Sequence, residues 1–375
     1  MFRRLRPLIV KEFRQIRRDK RSLGVLLVLP AVLVFVIGYA LNFDVKHVRL
    51  AVWDQDKTSR SRELVRAFVN NEYFTYAYAA DSYETIETLL GKGDALIGLV
   101  VPPSFSRDIA AGRDATVQIL VDGSNANTAT AAIDYTNAVL QSFSVKLSAD
   151  VMQRVGKAGF LPIDYRPKVW YNPELITAKF LVPGLIGFIL MISAVVSTSL
   201  SVVKEKERGT MEQIMVSPLN TAELIVGKTI PYLAVGLAGS VLVLLVGFLL
   251  FDIVVHGSIF WLYIGIVLFL IGALGQGLLI STVAQSQQVA FLLSVFSSLL
   301  PTFLLSGFVF PIRSMPIALQ LLSNAAPAKF FLVVVRSIIL KGAGPAAFWD
   351  QLVFLMIFAA VMLGISVVRL RKRVQ

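Results

Sequence analysis

The chain has no cysteine, two histidines among 375 residues and only 16% charged residues, against roughly 25% in soluble domains. Without thiols there are no disulfides, thiolate nucleophiles or cysteine metal sites, and the redox compartment cannot be read. His47 and His256 each stand just outside a long apolar run and read as surface or interface residues. No Ser-His-Asp order, paired-carboxylate site or metal-ligand cluster is evident, so no enzyme active site, metal or cofactor is expected in this chain. Asp122 reads as a turn or cap residue.

What the chain has in abundance is apolar sequence: 56% hydrophobic residues and a mean hydropathy of +0.71. A bilayer core takes about 20 apolar residues per helical span. Six runs qualify, at about 22–42, 180–203, 228–251, 259–283, 289–310 and 351–368, with no Asp, Glu, Lys or Arg in their interiors. The net charge of +12 is not a nucleic-acid patch, because residues 1–22 hold nine Lys/Arg against two acids and the final RLRKRVQ holds four. Both ends read as cytoplasmic, which an even number of spans allows, and the membrane reads as a bacterial inner membrane. Segment 43–178 then lies outside, and the loop 311–349, with four basic residues and no acid, conflicts mildly with that orientation.

Residues 1–21 place Leu5, Leu8, Ile9, Phe13 and Ile16 near one helical face and Lys11, Arg14, Arg17 and Arg18 on the other. They predict an interfacial helix lying on anionic lipid with its apolar stripe buried. The following run, ending Gly38-Tyr39-Ala40, imitates a secretory signal, but about 18 apolar residues exceed a signal's roughly 7 to 15, so a retained anchor is expected. Segment 43–178 alternates strand-like runs (VRLAVWD, FTYAYAA, ALIGLVV, ATVQILVD) with helical ones and ends in a long helix from about Thr128 to Lys157. The expected fold is six transmembrane helices with an α/β extracytoplasmic domain inserted between spans 1 and 2, a transmembrane region 179–369 and a basic tail 370–375.

Two glycine motifs are decoys. AELIVGKT, Ala222 to Thr229, lacks the first glycine of the phosphate-cradling loop and belongs to a helix entering the membrane. GALGQG, Gly272 to Gly277, sits mid-span, where small residues allow close helix packing.

The stretch KEKERGTMEQIMVSPLN, 204–220, packs six charges into nine residues. Its alternating run suits a helix leaving the bilayer, Gly209 stops it, and Thr210-Met211-Glu212-Gln213 has the capping-box spacing that starts a new helix, which Pro218 ends. The product is a helix of about seven residues with Met211, Ile214 and Met215 on one face, too short to be stable alone; local rules fit a well-capped turn between spans as well as a helix docked on a partner surface. Asn220 and Glu223 offer a cap for the third span.

This stretch resembles the cytoplasmic motif of ABC type-2 transporter permeases, in the drug-exporter-like branch with a large ectodomain between the first two spans. PAKFFLVVVRSIILKGAG, 327–344, resembles that family's pattern before the last span. The resemblance implies that 204–220 is a coupling helix docking on a separate ATPase subunit that binds ATP and Mg. It assigns Glu205, Glu207, Arg208, Gly209, Thr210, Glu212 and Pro218 to the motif positions. Side-chain chemistry adds Met211, Ile214 and Met215 as groove fillers, with Glu212 and Arg208 on the rim. A second permease chain, membrane lipid and a periplasmic adaptor are the other partners to expect. A substrate path is expected along Ser193, Ser197 and Ser201, with Ser294, Ser297, Ser298 and Thr302, although polar residues in spans also serve helix packing. The competing reading is a membrane-anchored envelope sensor with a ligand-binding ectodomain.

Overall fold

In hydrocarbon a backbone finds hydrogen-bond partners only within itself, so each long apolar run must be a helix. The computed structural model describes residues 2–40, 47–154, 170–172, 176–210 and 220–374. Six of its helices are long and apolar enough to cross a membrane, at Leu23–Ala40, Thr177–Glu207, Thr221–Phe251, Ile259–Val283, Gln287–Leu305 and Trp349–Leu370. The chain divides into two compact units, Met1–Asn42 with Val169–Gln375, and Phe43–Lys168. The first opens with α1 (Phe2–Arg18) and α2 (Lys20–Ala40).

The inserted unit runs β1 (Val48–Asp54), α3 (Ser59–Val69), β2 (Phe74–Ala79), α4 (Tyr83–Gly91), β3 (Ile97–Val101), α5 (Phe105–Ala110), β4 (Gln118–Val121) and α6 (Ala126–Arg154). The four strand-like runs are its four strands, in the order β2-β1-β3-β4, with β1 parallel to both neighbours and β4 antiparallel to β3. β3, IGLVV, is buried at every position, which is why its sequence is continuously apolar rather than alternating. Leu64 and Phe68 of α3 and Ala132 and Phe143 of α6 close the core over Leu50, Val52 and Leu99. Asp122 accepts the Ser124 backbone N–H at 2.9 Å, the turn role expected of it.

The other unit continues with α7 (Thr177–Glu207), α8 (Thr221–Phe251), α9 (Ile259–Val283), α10 (Gln287–Leu300, extended by a π-helical turn to Leu305), α11 (Ile317–Leu322), α12 (Pro327–Ile339) and α13 (Trp349–Val374). α7 is central and packs on α2, α8, α9, α10 and α12. The glycines of GALGQG let helices close in: a Cβ on Gly272 would meet the Phe358 ring of α13, and one on Gly277 would stand 2.5 Å from Val195 O of α7.

Two expectations are corrected. Segment 311–349, expected as a loop, holds two helices, Ile317–Ala325 and Pro327–Ile339, meeting at 83°. The second is core, with Phe331, Val334, Val335 and Ile338 buried and Phe331 stacked on Phe269 at 4.1 Å. α10 starts beside Glu207 at the end of α7, whereas the far end of α13 reaches the same region through Leu370. The bent pair therefore leaves and returns on the opposite side and is re-entrant. At 13 residues α12 is too short to read as a span, and its two bases disguise it as loop. Both have local work: Lys329 Nζ donates to Ser323 Oγ and Asn324 Oδ1, and Arg336 donates to Gly307 O at 3.1 Å and lies over the Phe180 ring at 3.9 Å. His256 belongs to the same assembly, its Nδ1 2.8 Å from Ile339 O at the end of α12.

The second correction concerns α1. Leu5, Leu8 and Ile16 are buried against protein rather than free for lipid, whereas Phe13 remains 40% exposed. Leu8 lies where a Cβ on Gly227 of α8 would stand 2.4 Å from its Cδ2. The buried stripe is centred on 5, 8, 12 and 16, and position 12 is a glutamate.

Gly277→Ala should destabilise the bundle by about 1–3 kcal/mol, because the obstructing atom is a backbone oxygen that cannot swing away. A lowered unfolding midpoint in detergent checks this, and an unchanged midpoint would contradict the close α7–α9 contact.

Candidate functional site

Consecutive residues on a helix point about 100° apart, so a run of charges at a helix end sweeps around its circumference. At the end of α7 each charge from Lys204 to Glu207 reaches a different neighbour. Lys204 Nζ stands 3.3 Å from the Asp19 carboxylate between α1 and α2. Glu205 turns inward to α1 and α8. Lys206 Nζ donates to Ala284 O, just past α9, at 3.0 Å, and Glu207 Oε1 accepts the Gln287 N–H opening α10 at 2.8 Å. Gly209, at φ 69°, supplies the left-handed stop, while Arg208 is exposed. Thr210 Oγ1 donates back to Glu205 O at 3.2 Å. Met211, Glu212, Ile214, Met215 and Pro218 lie outside the described residues. Beyond them Glu223 accepts the Asn220 N–H at 2.9 Å, half of the expected cap on α8.

The inward charge closes a ring. Lys228 Nζ, 2% exposed, lies 2.6 Å from Glu205 Oε2 and 3.2 Å from Glu12 Oε1. Lys11 Nζ donates to Glu12 at 3.0 Å and also to Glu205. Glu12 is 0% and Glu205 4% exposed. Two neighbours on α1, one residue of α7 and one of α8 thus alternate in sign and sum to zero. Burial draws the Lys11 ammonium down, but the Glu205 and Glu12 carboxylates more than offset this, and its pKa stands above the ordinary 10.5. Its contribution to stability is therefore complete below 10.5 and is lost as pH rises through the higher folded value. Beside the ring an open cleft is edged by Lys11, Arg14, Arg18, Lys204 and Arg208, with Asp19 and Glu205 the acids among its lining.

The hydroxyls read as a path fall on two sides of α7. Ser193 and Ser197 line a narrow crevice with Leu26, Pro30 and Tyr232, between α2, α7 and α8. Ser201 is buried. Ser294 and Ser298 are buried on the opposite side, where Ser294 Oγ meets Ser199 Oγ at 2.6 Å and Ser298 donates to Ser294 O. Thr302 is also buried, and exposed Ser297 accepts from Gln276. The two sets do not converge within one chain.

Glu12, Lys11 and Lys228 form a site that no sequence motif marks. Glu12 could have been found as the acid inside the apolar stripe of α1. Lys228 is the lysine of the GKT decoy, and its ion-pair partner on α1 is not visible from that local pattern.

A polytopic protein with an inserted α/β domain and a charged hub joining spans 2 and 3 is the architecture of a transporter's membrane subunit. The chain belongs to the ABC-2 family of transporter proteins, whose family model matches residues 20–368. It is 32% identical to the probable multidrug ABC transporter permease YbhR of Escherichia coli K12 over the whole of both chains. It is 31% identical to YbhS of the same strain, a protein of the same description, over 99% of this chain and 98% of that one. The inner membrane transport permease YhhJ of that strain is 26% identical over 97% and 96%.

Lys228→Met leaves Glu12 and Glu205 facing one another with half-exposed Lys11 as the remaining cation, and should cost about 3–5 kcal/mol. Unfolding in detergent measures this, with Arg60→Ala, at the partly exposed Arg60–Glu63 pair of the inserted unit, expected to cost less than about 1 kcal/mol.

Proposed function

We propose that this chain is the membrane-spanning subunit of an ATP-binding-cassette exporter. It moves a drug-like or lipidic compound out of the cytoplasm or inner leaflet, using ATP and Mg bound by a separate subunit. Two permease chains and two ATPase subunits form the working unit, with both chain termini and segment 204–220 in the cytoplasm. Family membership and the multidrug description carried by YbhR and YbhS support the class of reaction. The description of these relatives as permeases favours ATP hydrolysis on another chain.

One observation carries the coupling role. The charges of Lys204 to Glu207 fasten α7 to the α1–α2 junction, α8, α9 and α10. A push delivered just beyond them, at 208–220, is therefore distributed to the spans at once. Glu205 and Glu207 serve this internal fastening, leaving Arg208, Met211, Glu212, Ile214, Met215 and Pro218 to meet the ATPase. The substrate passes along the contact between two permease chains, where partly exposed Ser193, Ser197 and Ser297 are the path hydroxyls still open to it.

Glu212→Ala, and separately a disruption of Gly209-Thr210, should lower ATP hydrolysis by the assembled complex about tenfold or more, as loss of an interface hot spot does, while the chain still inserts. Unchanged hydrolysis in both variants would refute docking at this segment.

A further inference from the structure

We infer that α1 is a built part of the transport core, and that Lys11, Glu12, Glu205 and Lys228 are positioning residues passing movement among α1, α7 and α8. The functional half of this rests on the proposed division between permease and ATPase.

The argument starts from cost. Buried ion pairs rarely stabilise a fold more than apolar side chains of the same size would, so a fully buried glutamate on α1 gives no advantage over leucine as an anchor. What alternating charges add is register, because opposite signs meet in one alignment and like signs in the neighbouring ones. Here the alignment is closed. Glu12 reaches Lys228 of α8, Lys11 reaches Glu205 of α7, and Glu205 and Lys228 reach each other. α7 cannot shift or rotate by a residue without parting Glu205 from both lysines. Glu205 is also the last buried residue before the exposed run that begins at Lys206. Movement entering there meets the ring before it meets lipid, and α1 moves with it. A helix resting on lipid would need no inward acid and would leave Leu5, Leu8 and Ile16 free, whereas these are buried.

Both halves of the ring can be inverted without altering composition or net charge. Lys11→Glu/Glu12→Lys reverses α1, and Glu205→Lys/Lys228→Glu reverses the core. Each half remains internally paired, and only the contact between them becomes repulsive. All four substitutions together restore every attraction. The absence of native cysteine allows a clean reporter, Leu8→Cys/Gly227→Cys, whose Cβ atoms would stand 3.6 Å apart, within the disulfide range.

In membranes treated with copper phenanthroline, the reporter should cross-link rapidly on the native ring, about tenfold more slowly with either half reversed, and at the native rate with all four residues exchanged. ATP hydrolysis per assembled complex should follow the same order, and closing the disulfide in a half-reversed complex should restore it. Rapid cross-linking with a half reversed, or no recovery in the fourfold variant, overturns the ring as the fastening. Lost cross-linking with full hydrolysis overturns its role in transmission. Should no ATPase assemble with the chain, that failure belongs to the proposed function, and the cross-linking arm still decides how α1 is held.

Discussion

A polar group removed from water must find its partner inside the protein, and in a bilayer there is no third option. That constraint forces the six long apolar runs into helices. It also governs the few charges that go in with them. At one end of the bundle four charges close on one another in pairs. At the other end the two terminal guanidinium nitrogens of Arg336 donate to the carbonyls of Gly307, Phe308 and Phe180, and the group lies over the Phe180 ring. The two solutions differ in kind. Carbonyl oxygens are fixed in the backbone and brace the re-entrant helix, whereas carboxylate partners on separate helices hold α1, α7 and α8 in one alignment.

This difference bears on how the membrane subunit proposed above would respond to ATP bound on another chain. The run Lys204 to Glu207 is usefully regarded as a hub. Because successive helical residues diverge by about 100°, four charges suffice to reach the α1–α2 junction, the α1–α8 ring, the end of α9 and the start of α10. Gly209, in the left-handed region, then ends the helix. In the proposed function, force delivered beyond Gly209 acts on several spans together through these four charges.

Much of this was legible in the sequence. Hydropathy located the spans because hydrophobic length is set by the bilayer, and strand-like runs located the sheet because its central strand β3 is buried at every position. Gly209 was legible because few other residues tolerate its backbone. What the sequence concealed was pairing at a distance. Glu12 and Lys228 are 216 residues apart, and each looks locally like a flanking charge beside an apolar run. α12 was hidden for the opposite reason: it is too short to cross the membrane and carries two bases, so nothing distinguishes it from a loop until the carbonyls that receive Arg336 are in place. The hydroxyls along α7 looked like one stripe with those of α10, yet Ser197 and Ser199 point to opposite sides of the helix.

The central claim is that this membrane subunit is driven by ATP hydrolysed on another chain, and it is tested most directly by purifying the chain from its native host in mild detergent and asking what accompanies it. The account predicts a stoichiometric ATP-hydrolysing subunit that is lost when segment 208–220 is disrupted. Recovery of the intact chain with no such subunit, under conditions that preserve other membrane complexes, would contradict it.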